Sequence, residues 1–296
     1  MSVHYRVFVV SLLNSVMALP LFVSSLSPLL ADEIDESYTE SFFSLSTSVD
    51  NGGNSDKSLF LNLSPTSDQQ IQLAYGVSSS TEDSATTKQL AIGVSTDPYK
   101  IFSIGSELSY WGAPSLLESK TFKTQLNFNG DNWGITLAPQ LGVITVFHDV
   151  VLGMTQFDVQ AIGNETRISY YGFDDYSFTA GYFVNRFGQT PYDNANRRLR
   201  TEVLDRISTI TRQLANSLES NRTQLSAARF FNWGSVGVDW YRSHFALISG
   251  SSTSMIFTID YSINQHFSLS MGYGQQTASE DNFTADFINS SISIIW

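Results

Sequence analysis

Apolar and polar side chains alternate in run after run from residue 38 onward, and this limits the possible folds more than any other feature. In QQIQLAYGV, Ile71, Leu73, Tyr75 and Val77 fall on one face, with Gln70, Gln72, Ala74 and Gly76 on the other. TFKTQLNFNG sets Phe122, Thr124, Leu126 and Phe128 against Lys123, Gln125 and Asn127. SMIFTIDYSI sets Met255, Phe257, Ile259 and Tyr261 against Ile256, Thr258, Asp260 and Ser262, and HFSLSMGYG repeats the pattern with Phe267, Leu269, Met271 and Tyr273. A period of two places the two sides of a strand in unlike surroundings, so the sequence predicts antiparallel strands separated by turn residues.

Which face meets water depends on the rest of the chain. Hydrophobic residues make up 42% and aromatic residues 13%, but charged residues only 15%, over 296 residues. That is too aromatic for disorder and too poor in charge for an ordinary soluble globule. With no cysteine, neither a disulfide framework nor a thiolate metal site can form.

At the N-terminus, His4 and Arg6 precede the apolar run VFVVSLLNSVMALPLFVSSL, small residues and then an acidic start. This order predicts a secretory leader over 1–31, cleaved near Ala31, and a short polar extension over 32–37. An uncleaved anchor is the alternative, although Asn14 and Pro20 interrupt the run. No later segment approaches the roughly 20 consecutive apolar residues of a spanning helix. If residues 38–296 cross a membrane, they do so as strands. In a soluble sandwich the apolar face would be buried, whereas in a membrane barrel it meets lipid and the polar face lines the lumen.

The connectors favour the barrel. Short joints are predicted at PTSD (65–68), TDPY (96–99), NGDN (129–132), GNET (163–166) and INQH (263–266), with longer polar joints such as SSSTEDSATT and QQTASEDN between them. The expected fold is an all-β transmembrane barrel of about fourteen strands. Twelve is the alternative, and the hairpins around FHDV (147–150) and GFDDY (172–176) decide between them.

The tail DFINSSISIIW puts Ile288, Ile292, Ile294 and Trp296 on one side and Asn289, Ser291 and Ser293 on the other. With its terminal aromatic residue and alternate apolar positions, the chain resembles the bacterial outer-membrane β-barrel, porin-like family. The resemblance implies location in the bacterial outer membrane, contact with its lipid, and recognition of the last strand by the outer-membrane assembly machinery. It also implies that Trp296 is the assembly signal and belongs to an interfacial aromatic girdle.

One segment departs from period two. Across 194–229, Leu199, Val203, Ile207, Ile210, Leu214 and Leu218 recur at spacings of three and four, which predicts an amphipathic helical insertion. It carries Arg197, Arg198, Arg200, Arg206, Arg212, Arg222 and Arg229, seven of the chain's 16 basic residues, within a net charge of −12. Three placements follow: a solvated cap, a lumen insert pairing with wall acids such as Glu107, Asp158, Asp239 and Asp260, or a helix lying on anionic lipid. Strand parity puts this connector at the periplasmic end.

Catalytic, cofactor and metal signatures are missing from the sequence. His148, His244 and His266 lack metal-ligand spacing, and no glycine-rich phosphate loop occurs. Ser243 beside His244, and His148 beside Asp149, suggest a hydrolase, but adjacent strand residues point to opposite faces. The basic cluster alternates with aliphatic residues, unlike a nucleic-acid surface. The expected function is a pore for ions or small polar solutes. The alternatives are an interaction or export barrel that binds a periplasmic protein partner, and an outer-membrane lipid hydrolase. Deleting Trp296 is expected to lower the amount of barrel reaching the outer membrane while leaving the melting temperature of the folded fraction within a few degrees; equal surface levels would contradict its assigned role.

Overall fold

The computed structural model describes residues 40–51, 55–79, 86–99, 101–113, 117–150, 153–173, 175–188, 219–245, 251–278 and 283–296. The expected leader and extension lie outside these residues. The strands are β1 (Phe42–Asp50), β2 (Ser55–Thr66), β3 (Gln69–Ser79), β4 (Thr86–Tyr99), β5 (Phe102–Ala113), β6 (Leu117–Asn129) and β7 (Trp133–Val150). There follow β8 (Gly153–Phe173), β9 (Tyr176–Phe187), β10 (Glu219–Phe231), β11 (Gly234–Phe245), β12 (Ser251–Asn264), β13 (Phe267–Ala278) and β14 (Phe283–Ile295).

Every strand pairs with its neighbours in sequence, and β1 pairs antiparallel with β14, closing a barrel of fourteen strands. Both hairpins that separated fourteen from twelve are present, at β7–β8 and β8–β9. No helix occurs among the described residues.

Alternation sorts the side chains as the sequence predicts. Leu90, Ile92 and Val94 of β4 and Met255, Phe257, Ile259 and Tyr261 of β12 point outward and are about half exposed. The residues between them, such as Thr87, Ser252, Ser254 and Asp260, are buried on the inside. An exposed apolar band around a closed sheet is stable in lipid, where each backbone N–H and C=O must find its partner within the protein.

Aromatic residues mark both edges of this band. At the short-turn end Phe102 packs on Phe128 with centroids 5.1 Å apart, Phe231 stacks on Trp233 at 5.1 Å, and Trp233 meets Tyr261 at 6.3 Å. Trp296 is outward-facing and exposed at the same end, and its backbone exchanges hydrogen bonds with Ser41. Toward the opposite edge, Tyr75 and Tyr110 lie in one row on either side of Leu90.

Three expectations need correction. GNET is not a turn: Asn164 and Glu165 sit within β8, opposite Pro139 and Ala138 of β7, because β7 and β8 form one hairpin of unusually long strands. Removing that turn reverses the parity, so the β9–β10 connector leaves from the end opposite the short turns and the termini. Finally, the helix predicted over 194–229 does not extend past 218. Glu219–Phe231 is β10, paired with β9 and β11, and the 3.6-residue period stops at Leu218, after which Arg222, Gln224 and Ser226 alternate with Thr223, Leu225 and Ala227. The rest of the predicted helix, with Arg197, Arg198, Arg200, Arg206 and Arg212, lies outside the described residues.

Inside the wall, Phe287 of β14 lies over Gly274 of β13, its register partner, and is 2% exposed. A Cβ at position 274 would fall within the Phe287 ring. Gly274→Ala should therefore destabilise the barrel by about 1–3 kcal/mol in denaturant titrations of folded protein in vesicles. In the Phe287→Ala background most of that cost should vanish, and additive losses would contradict the contact.

Candidate functional site

The inward-facing residues of all fourteen strands enclose one cavity of about 750 Å³. Its wall has two unlike halves, because charged residues recur on some strands and serines on others.

From β5 to β11 the wall carries paired charges. Lys123 Nζ lies 3.7 Å from Glu107 Oε1, across the β5–β6 register pair. On β8, Arg167 Nη2 donates to Glu165 Oε1 at 2.8 Å. Glu165, Phe183 and Arg222 occupy one row across β8, β9 and β10. The Arg222 guanidinium sits 5.5 Å from the Phe183 ring centroid and divides between two acids, with Nη1 3.1 Å from Glu219 Oε2 and Nη2 3.6 Å from Glu165 Oε1. Ser243 of β11 donates to Glu219 Oε1 at 2.6 Å. These side chains are largely shielded by the wall. A planar guanidinium suits such a bridge, since its fork presents separate N–H groups to separate carboxylates.

From β11 round to β2 the wall is acidic and hydroxyl-rich. Ser235 Oγ donates to Asp260 Oδ2 at 2.8 Å, and Ser293 Oγ donates to Ser44 Oγ at 3.0 Å. Ser46 and Ser58 meet across the β1–β2 pair. Asp239 and Asp260 face the cavity here, and among the described strand residues no Lys or Arg points inward from this half. Ile256 and Phe287 interrupt it with a small apolar patch.

The structure brings Glu107 and Arg222 into the paired half, and Asp239 and Asp260 into the acidic half. Asp158 is not a lumen residue. It has the outward parity of Ile162 and Ile168 on β8 and accepts a hydrogen bond from Thr145 Oγ1 at 2.7 Å. Composition alone groups it with the wall acids, because composition does not distinguish the faces of a strand.

Lys123, Glu165, Arg167 and Glu219 complete the paired half and were not singled out in the sequence. A signal was present for two of them: Glu165 and Arg167 are spaced i, i+2, the spacing of residues on one face of a strand. Reading GNET as a turn concealed it. Ser243 points inward to Glu219, while His244 points outward, its Nδ1 2.9 Å from Asn221 Oδ1. The two therefore do not face one another. Among the described residues no cluster of metal-ligating side chains occurs.

No protein-family model matches the chain, and no curated protein matches it in sequence. Solved structures do match. The chain is similar to the CymD monoaromatic hydrocarbon channel with a TM-score of 0.51 and 9% identity, over 86% of this chain and 87% of that one. It also matches a loop L8 deletion mutant of OmpT, an outer membrane protein of Vibrio cholerae, with a TM-score of 0.48 and 8% identity, over 87% and 98% of the two chains. For the NanC porin the TM-score is 0.47 and the identity 7%, over 85% and 98%. The first likeness, together with the closed sheet and its apolar band, identifies the fold as a membrane-type antiparallel β-barrel like that of the CymD channel.

Arg222→Ala would leave Glu165 and Glu219 sharing one side of the lumen without the cation between them. The expected cost in unfolding free energy is on the order of 3 kcal/mol. Arg222→Lys, which retains the charge but not the fork, should recover only part of it. A full recovery by lysine would contradict the two-acid bridge.

Proposed function

We propose that the protein is a pore for ions and small polar solutes with a preference for cations. The observation that carries this reading is the cavity of about 750 Å³ lined from all fourteen strands, in which Ser, Thr, Asn, Gln and charged side chains stand among aromatic and aliphatic ones. Porin-type barrels pass solutes through a polar interior, and rings of acidic side chains favour cations. The inward-facing acids of the strands outnumber Lys123, Arg167 and Arg222, and the acidic half offers a path on which no cation of the wall intervenes.

In this reading the described wall contributes a charged constriction, with Arg222 as its central member. The last strand would serve as the recognition element for the assembly machinery, with Trp296 at its end.

Purified barrel in planar bilayers should conduct, with a reversal potential of the cation-selective sign under a salt gradient. Asp239→Asn with Asp260→Asn should move that potential toward zero. Arg167→Gln with Arg222→Gln should move it further in the cation direction and raise conductance. Folded barrel that fails to conduct, or selectivity unmoved by both pairs, would overturn the proposal.

A further inference from the structure

Outward-facing cations are distributed very unevenly along the barrel axis. Lys57 of β2, Lys88 of β4, Lys120 of β6, Arg186 of β9 and Arg242 of β11 are all exposed and all lie at the end opposite the short turns. At the short-turn end, Arg229 is the one outward strand cation among the described residues, and it is held over the rings of Tyr176 and Phe231 at 5.3 and 4.9 Å. Side chains that merely reach for water at a membrane edge would be found at both edges. The polarity therefore indicates a feature of one leaflet.

The arrangement is ordered in the sector from β2 to β5. Lys57 pairs in register with Val77, Val77 with Lys88, and Lys88 with Gly112, so both lysines stand in one row on the outer wall. Two strand spacings separate them, roughly 10 Å. Lys57 and Lys88 form no ion pair with a described residue, and no strand residue of this sector presents an acid outward. Gly112 leaves the flank of Lys88 open on the β5 side. On β6, Lys120 pairs with Tyr110 and lies 3.8 Å from Glu118. Tyr75, Leu90 and Tyr110 form the row two residues closer to the apolar band, so the two lysines stand one row beyond a pair of tyrosines.

Short turns and chain termini mark the periplasmic end of such barrels, which puts the lysine row at the outer leaflet. We infer that the outer wall of β2–β5 is a binding site for a lipid with more than one phosphate on its headgroup, the chemistry of the lipopolysaccharide that forms that leaflet. Lys57 and Lys88 each take a phosphate, Lys120 supports them from β6, and the acyl chains lie on Leu59, Tyr75 and Leu90. The two-strand spacing favours a headgroup with separated phosphates over one with a single phosphodiester.

The test uses full-length folded barrel in detergent, with diphosphoryl lipid A and phosphatidylglycerol as separate probes and binding read by native mass spectrometry and thermal shift. Wild type should bind diphosphoryl lipid A more tightly than phosphatidylglycerol. Lys57→Gln with Lys88→Gln should weaken the lipid A interaction about 25-fold, about fivefold per lysine, while Arg229→Gln should change it less than twofold. The site is refuted if the double variant binds within twofold of wild type, or if phosphatidylglycerol binds wild type as tightly as lipid A. Should the double variant fail to show heat-modifiable migration, wild type decides the matter: its lipid A affinity must fall as salt is raised, and an affinity indifferent to salt refutes the site.

Discussion

The structure depends on the pairing of its first strand with its last. Phe42 to Asp50 register against Ile295 to Phe287, and Ser41 and Trp296 exchange backbone hydrogen bonds just beyond. An open sheet of this composition would expose two rows of unpaired N–H and C=O groups to hydrocarbon, each costing several kcal/mol. Closure removes both rows together. The apolar outer band, the polar interior and the aromatic edges become possible only once no edge remains.

Given closure, a period of two assigns every strand residue to lipid or lumen, and the inside must then accommodate what is placed there. Neighbouring strands share the space by pairing large with small: Phe287 lies on Gly274 because glycine has no side chain to displace it. Charges are accommodated by proximity. Arg222 lies between Glu165 and Glu219, so none of the three faces the interior without an opposite charge.

Much of this could be read from the sequence, because alternation is a local property that survives in a barrel. The apolar and polar faces of residues 70–77, 122–128, 255–262 and 288–296 all follow the sequence pattern, as does the even strand number. The errors arose where local signals were ambiguous. Gly163 and Asn164 read as turn formers, yet in β8 they continue a long hairpin, and that one false turn moved the β9–β10 connector to the wrong end. A helical period ending at Leu218 was carried on into Arg222 and Arg229, whose segment alternates. The charged cluster was only partly legible, since Glu165, Arg222 and Glu219 meet through the registers of neighbouring strands, and register is a tertiary fact. Asp158 shows the reverse error: an acid in a strand is a lumen residue only if its parity agrees.

The division of the wall into a compensated half and an acidic half has a further consequence. Opposite charges a few ångströms apart cancel at a distance, so the potential near Arg222 is small, whereas that near Asp239 and Asp260 is not. The interior therefore carries an electric field across the axis. A solute with separated positive and negative groups would feel a torque before it felt a barrier, and would turn its cationic end toward β11 and β12 as it passed. In the pore proposed above, such a molecule would be aligned by the wall, and its rate of passage would depend on its dipole as well as on its width.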